Sequence, residues 1–331
     1  MPIASWAVDI QPSAVDYINK MGQALKTLNY HGSLVYLNGG RLESLQLIHK
    51  NDGNKEWERL VHLSGEPREV IRHDDVVTCY LPDSRSVVVG QRRFNNHLFA
   101  KLTANLEQFA PNYSFITSGS NRVAGKDAVI IEINPKDPYR YGYQLWIDKA
   151  SKLLLKSELV DAKGEVLEQM MFTQLDIVDD IPEAMLKPAV SGESFTWHGE
   201  DDTSTDETNV DRGWQVAKMP SGFMISARYK QQMPNSTQPV EHVIISDGLA
   251  SVSVYIEPFN AESQSFIGSS RMGAVNIFGS VLDDHKVTVV GEVPISTVEM
   301  IAKSIQYLAE VAPGSEKTDS ATAAKGEEAA Q

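Results

Sequence analysis

Gly32-Ser33-Leu34-Val35-Tyr36-Leu37-Asn38-Gly39-Gly40-Arg41-Leu42-Glu43-Ser44-Leu45-Gln46-Leu47-Ile48-His49-Lys50-Asn51-Asp52-Gly53-Asn54 decides the fold of this chain. Two alternating runs, Gly32 to Leu37 and Glu43 to Lys50, are each closed by a turn rich in Asn and Gly. Such turns join antiparallel strands directly. The pattern continues outward through Glu56 to Leu63, Arg68 to Arg72, Val76 to Leu81 and Ser86 to Val89. A meander of that kind, with no helix between its strands, implies an antiparallel sheet or open barrel.

A helix is expected upstream from about Ser13 to Leu28. Ser13 and Asp16 have capping-box spacing, and Val15, Ile18, Met21, Leu25 and Leu28 share a face. Downstream, Leu98, Phe99, Leu102, Leu106 and Phe109 predict a second helix over Asn96 to Phe109, stopped by Pro111. Strands resume at Tyr113 to Thr117, Asp127 to Ile133, Gly142 to Asp148, Leu153 to Leu159 and Glu165 to Leu175. About eleven strands with two helices must curl to bury one face. The fold class is therefore mostly β with a few helices (α+β). Its core is a large curved antiparallel half-barrel with helices across the opening.

From Ser191 to Gly213 the chain carries Glu193, Glu200, Asp201, Asp202, Asp206, Glu207 and Asp211 against Arg212 alone, with few apolar residues. That stretch reads as a flexible acidic linker over 191–212, since it cannot bury enough surface to offset ordering. It separates a first domain, 12–190, from a smaller mixed sheet-and-helix domain, 213–312. The second domain has expected strands at Trp214 to Lys218, Phe223 to Lys230, Val240 to Ser246, Ala250 to Glu257, Gly273 to Val281 and Lys286 to Glu292. A helix follows Pro294, with Ser296 and Glu299 as a capping box and a buried stripe of Val298, Ile301, Ala302, Ile305 and Leu308. Residues 313–331 read as a disordered tail.

The apolar share of 42% and charged share of 22% fit a soluble globular protein of two domains. Much of the net charge of −14 sits in the linker and tail, so nucleic acid is disfavoured as a partner. No window approaches the ~18 to 20 apolar residues of a spanning helix. Residues 1–11 look like a residual stub, with Ser5 and Ala7 at the small-residue positions of a signal-peptide cleavage site. Cys79 is the only cysteine, which excludes an internal disulfide.

Phosphate-cradling loops and nucleophile elbows are absent from the sequence. His49, His62 and His73 lie on neighbouring strands but lack metal-site spacing, and Cys79 reads as a tolerated strand thiol. No catalytic residue, metal site or cofactor is expected. Two features suggest binding. A half-closed sheet makes an apolar cavity, with Tyr36, Leu45, Leu47, Trp57 and Trp146 from strands and Leu102, Leu106 and Phe109 from the helix as its lining. A packed core is the alternative. Arg68, Arg72, Arg85, Arg92 and Arg93 form a basic patch suited to an anionic headgroup or acidic partner, or an ordinary solvated face. The turn Asp137-Pro138-Tyr139-Arg140-Tyr141 is either a recognition edge or rim packing.

Tyr141-Gly142-Tyr143-Gln144-Leu145-Trp146-Ile147-Asp148, Leu153 to Leu159, Asp161-Ala162-Lys163-Gly164 and Phe172 resemble the RseB/MucB family. So do Gly213-Trp214-Gln215-Val216, Met219-Pro220-Ser221-Gly222-Phe223, His242, Asp247-Gly248-Leu249-Ala250-Ser251-Val252-Ser253-Val254, Gly273-Ala274 and Val287 to Pro294. The likeness spans about Pro12 to Leu308, and the Trp-Ile-Asp hairpin is shared with LolA/LolB-type lipoprotein carriers. It implies a LolA-type half-barrel, a linker and a partner-binding C-terminal domain in a periplasmic negative regulator of the sigma-E envelope-stress response. Such a protein binds the periplasmic region of an anti-sigma factor (RseA or MucA). It shields that region from regulated proteolysis and is released on sensing lipid or lipopolysaccharide. A homodimer is compatible with this reading. The alternative is a lipoprotein or lipid carrier with the second domain as an appendage.

Overall fold

The structure is a computed structural model and describes residues 13–91, 110–199, 213–231, 239–259 and 266–308. Helix α1 (Ala14–Thr27) opens it, with the capping box in place. The Asp16 N–H donates to Ser13 Oγ at 3.1 Å, and the Ser13 N–H donates to Asp16 Oδ2 at 3.1 Å. Two of the helix's orphan donors are thereby satisfied. Replacing Ser13 with alanine should cost about 1 kcal/mol, measured as a fall in urea midpoint at unchanged slope.

The strands follow as β1 (Asn29–Asn38), β2 (Arg41–Asn51), β3 (Glu56–His62), β4 (Glu69–His73), β5 (Val76–Leu81) and β6 (Ser86–Gln91). After the next described residues come β7 (Tyr113–Val123), β8 (Lys126–Pro135), β9 (Gly142–Asp148), β10 (Leu154–Val160) and β11 (Val166–Val178). Gly39 and Gly40 form a two-residue turn with φ of 57° and 79°, the left-handed backbone that closes a tight hairpin. Strand β11 returns to pair with β1, so the two meanders merge into one sheet. With β12 (Thr196–His198) the order is β12-β6-β5-β4-β3-β2-β1-β11-β10-β9-β8-β7, a 12-stranded sheet that is not closed. Helix Asn96 to Phe109 lies outside the described residues.

Register assigns each side chain to a face. Leu34 opposes both Leu45 and Phe172, Tyr36 opposes Met170, and Leu47 opposes Leu60. This face carries α1: Ile18, Met21 and Leu25 are buried in one cluster with Leu34, Leu45, Leu47, Leu145 and Phe172. Over this part of the sheet the inner face is packed with side chains.

The first residues expected to belong to the linker do not behave as one. After α2 (Glu183–Leu186), the chain runs across the outer face. Arg59 Nη1 donates to Met185 O at 3.0 Å, the Ala189 N–H donates to Glu69, and β12 pairs in parallel with β6. Thr196–His198, within the expected linker, thus continue the first sheet, because backbone groups that the edge of β6 leaves open attract a strand. The rest of the expected linker, 200–212, and the tail beyond 308 lie outside the described residues.

The second unit holds β13 (Trp214–Val216), β14 (Met224–Gln231), β15 (Val240–Ser246), β16 (Ser251–Pro258), β17 (Gly268–Met272), β18 (Val275–Leu282), β19 (His285–Gly291), α3 (Ile295–Lys303) and β20 (Ile305–Tyr307). Six strands form an antiparallel sheet in the order β14-β15-β16-β19-β18-β17. Val298 and Ile301 of α3 pack on Val243, Val254 and Val289 of its inner face. Three expectations need correction. Helix α3 is entered through Pro294 at its N-cap with no side-chain cap, so Ser296, which lies inside the first turn, and Glu299 form no capping box. The helix ends at Lys303, so Ile305 belongs to β20, paired with β13, and Leu308 is exposed. Gly268 to Met272, unassigned from sequence, is an edge strand.

Candidate partner-binding surface and the joint between domains

The turn at Asp137 to Tyr141 is neither a free recognition edge nor ordinary rim packing. It is where the two domains meet. Arg140 is fully buried and donates through Nε to Asp247, through Nη1 to Asp137 and through Nη2 to Ser221 O. Its guanidinium sits 4.6 Å from the centre of the Phe223 ring. Asp247, in the β15–β16 turn, also accepts the Tyr113 hydroxyl at 2.9 Å and the Ala250 N–H at 2.7 Å. Burial pushes the Tyr113 hydroxyl well above its usual range, and the adjoining Asp247 charge pushes it further. Burial works against the Arg140 charge, but the Asp247 and Asp137 carboxylates outweigh it and raise its pKa.

Around this ion pair the contacts continue. Asn276 Nδ2 donates to the Tyr141 hydroxyl at 2.9 Å and to Val293 O at 2.8 Å, and Thr297 Oγ1 donates to Tyr139 O at 2.9 Å. Leu249 and Ala274, both from the second domain, are fully buried in the core cluster of the first. Gly273 sits against the Asn38–Gly39 turn with φ of 60°, so a side chain there would meet both a strained backbone and the neighbouring hairpin. Whatever the chain does between 200 and 212, the folded parts are docked through a buried, hydrogen-bonded joint rather than loosely tethered.

The expected cavity lining splits in two. Tyr36, Leu45 and Leu47 share the inner face, where Leu45 and Leu47 are buried in the α1 cluster. Trp57 opposes Lys50 and Trp146 opposes Lys156, so register sets both indoles on the outer face, where Trp146 is buried at the margin of the same core cluster as the leucines. Each tryptophan has its own setting. Trp146 lies under the Lys156 ammonium at 4.3 Å. Trp57 stacks on His73 and, with Lys50, Asp180 and Leu186, lines a groove of ≈ 580 Å³. Leu102, Leu106 and Phe109 lie outside the described residues. The inner face is more open from β3 to β6, where Leu60, Val70 and Val77 are half-buried and Val88 is exposed.

Of the expected basic patch, Arg72 is committed elsewhere. Arg72 is buried on the inner face, donating to Glu56 at 2.6 Å and Glu58 at 3.2 Å. Burial resists the Glu56 charge, yet hydrogen bonds from His49 and Arg72 win and hold its carboxyl at about 2. Arg72 therefore has no charge to spare for a ligand. Arg68 and Arg85 are exposed, and Arg92 and Arg93 lie outside the described residues. His49, His62 and His73 do not converge: His49 bonds Leu28 O and Glu56, His62 faces Glu43, and His73 stacks on Trp57. Among the described residues no group of three His, Cys, Asp or Glu is placed to hold a metal. Burial raises the Cys79 thiol pKa, the opposite of what a nucleophile needs.

A broad, incompletely closed β-sheet docked on a second β domain defines a two-domain, mostly β protein. The chain belongs to the MucB/RseB family: the MucB/RseB N-terminal domain matches residues 13–190 and the MucB/RseB C-terminal domain residues 208–306. It is 31% identical over 301 residues to the Sigma factor AlgU regulatory protein MucB of Pseudomonas aeruginosa, covering 88% of this chain and 90% of that protein. The Sigma-E factor regulatory protein RseB of Haemophilus influenzae is 28% identical over 303 residues, covering 89% and 91%. Among solved structures, the Pseudomonas aeruginosa MucA/MucB complex matches with a TM-score of 0.72 at 29% identity, over 89% of this chain and 99% of that one. MucB in complex with MucA(peri) matches at 0.70, and a crystal structure of MucB at 0.63.

Proposed function

We propose that this chain is a periplasmic regulatory binding protein. It holds the periplasmic segment of an anti-sigma factor of the RseA/MucA kind, shields it from proteolysis, and lets go when lipid or lipopolysaccharide binds. The observation that carries the reading is the match of both domains to sigma-factor regulators of which one has been solved with MucA. The fold supports it, since this chain superposes on MucB solved in complex with MucA at TM-scores of 0.72 and 0.70. A docked pair of domains presents one continuous surface to a partner, whereas a tethered pair must first be ordered at an entropic cost.

Retention of a purified anti-sigma periplasmic domain on the immobilised chain tests the first half, and no retention refutes it. Lipid enters this scheme at the open stretch of inner face between β3 and β6, because the α1 half is already filled. Val88→Asp places a charge on that stretch at an exposed position, with little effect on stability. It should raise the lipopolysaccharide concentration needed to release the anti-sigma domain by about tenfold, equal to ~1.4 kcal/mol of lost apolar contact. Release at an unchanged concentration would move lipid binding elsewhere.

A further inference from the structure

His242 is a buried titratable group that the proposed activity does not use. It sits mid-strand in β15 with 6% of its surface exposed. Register places it between Tyr229 of β14 and Tyr255 of β16. The Tyr255 ring stacks on it at 4.2 Å and the Tyr229 ring meets it edge-on at 4.9 Å. Among the described residues neither ring nitrogen has a hydrogen-bond partner. An imidazole so placed is tolerated only while neutral, because a buried cation without an acceptor is far costlier than a buried neutral ring.

Among the described residues no unpaired carboxylate faces the ring. On the same face, β14 contributes Tyr229, β15 Val240 and Ile244, and β19 Thr288. The carboxylate of Glu257 on β16 shares that face but is paired with Lys286 of β19 at 2.9 Å. Arg228 and Glu241 pair with each other on the opposite face. Burial alone holds the His242 pKa down, to about 4.

We propose that His242 is an acid trigger: its protonation loosens edge strand β14 from the second domain's sheet and weakens that domain's hold on a bound partner. Strand β14 is the element to yield, since among the described residues it pairs on one side only and its Tyr229 is half of the sandwich. The sign follows from linkage. The folded value lies below the ordinary 6.5, so the opened strand takes up a proton first as the pH falls. Stability is intact above about pH 6.5 and is lost progressively down to about pH 4. The partner clause rests on the proposed function; the loosening does not.

Urea unfolding of the full chain at pH 7.5 and pH 5.0 tests the loosening, with His242→Phe beside the native protein. Between the two pH values the native opening constant should rise roughly thirty-fold more than that of the variant. Equal pH dependence in the two proteins overturns the proposal. NMR titration of the His242 ring in the native chain makes the test independent of the variant's folding. A midpoint near 4 supports the trigger, and one near 6.5 overturns it. With an anti-sigma periplasmic domain bound, acid release should occur in the native chain and not in His242→Phe. Release from both overturns the partner clause, while no binding at either pH refutes the proposed function and leaves the stability result standing.

Discussion

An Arg140→Ala variant should fold in each domain but lose the docking of one on the other. Three acceptors converge on this guanidinium, and Asp247, its principal partner, is itself buried. Removing the cation leaves the Asp247 carboxylate in a protein interior with only hydrogen-bond donors to answer it. Breaking a buried pair from one side costs about 3–5 kcal/mol, because the surviving charge is uncompensated. That sum rivals what an interdomain interface contributes, so the joint rather than either core should yield. The expected signs are a larger radius of gyration in solution scattering and two thermal transitions in place of one. Arg140→Lys should recover little, since an ammonium is a point charge and cannot reach three acceptors set out for a planar fork. An unchanged radius in Arg140→Ala would mean that apolar contacts alone hold the joint.

Leu249→Ala should produce the second large effect, from the apolar side of the same joint. Leu249 belongs to the β15–β16 turn of the second domain, yet it is fully buried in the core cluster of the first. Truncating such a leucine costs about 2–5 kcal/mol, according to how well the site collapses around the gap. Combining it with Arg140→Ala is the sharper experiment. If both act by undocking, the double variant should be barely worse than the more damaging single one, whereas independent sites would add. Full additivity in urea unfolding would place the two residues in separate structural roles.

Much of the architecture is legible in the sequence because it depends on local signals. The Ser13–Asp16 box, the Asn38-Gly39-Gly40 turn and the alternation of β1 and β2 are each written within a few residues. The second sheet is nearly as plain, apart from Gly268 to Met272, whose Gly-Ser-Ser-Arg run carries no apolar alternation. The expected cavity lining fails for a definite reason. Glu56-Trp57-Glu58-Arg59-Leu60-Val61-His62 places apolar residues on both parities, so only the register Leu47–Leu60 and Lys50–Trp57 reveals which faces inward. Trp146 is misplaced in the same way: Leu145 and Trp146 are both apolar, and only the pairs Leu145–Ser157 and Trp146–Lys156 separate their faces. Arg72 reads as surface charge until its neighbours Glu56 and Glu58, distant from it in sequence, close over it.

The joint is visible only in fragments. The aromatic turn around Arg140 and the Asp247-Gly248-Leu249 segment both stand out in the sequence, but 107 residues separate the ion-pair partners. No local pattern says that a turn of one sheet will plug the core of the other. The acidic run that ends the first domain points towards loose tethering, and the buried pair overrides that expectation for the folded parts.

The affinity of an anti-sigma periplasmic segment for the native chain and for Arg140→Ala, measured side by side by calorimetry, tests most directly whether the docked pair is the binding unit. Binding that requires the docked state weakens in proportion to its lost population, so the variant should bind about tenfold or more weakly, with both domains still folded by circular dichroism. Equal affinity, alongside proven undocking, would show that one domain suffices and would contradict the account.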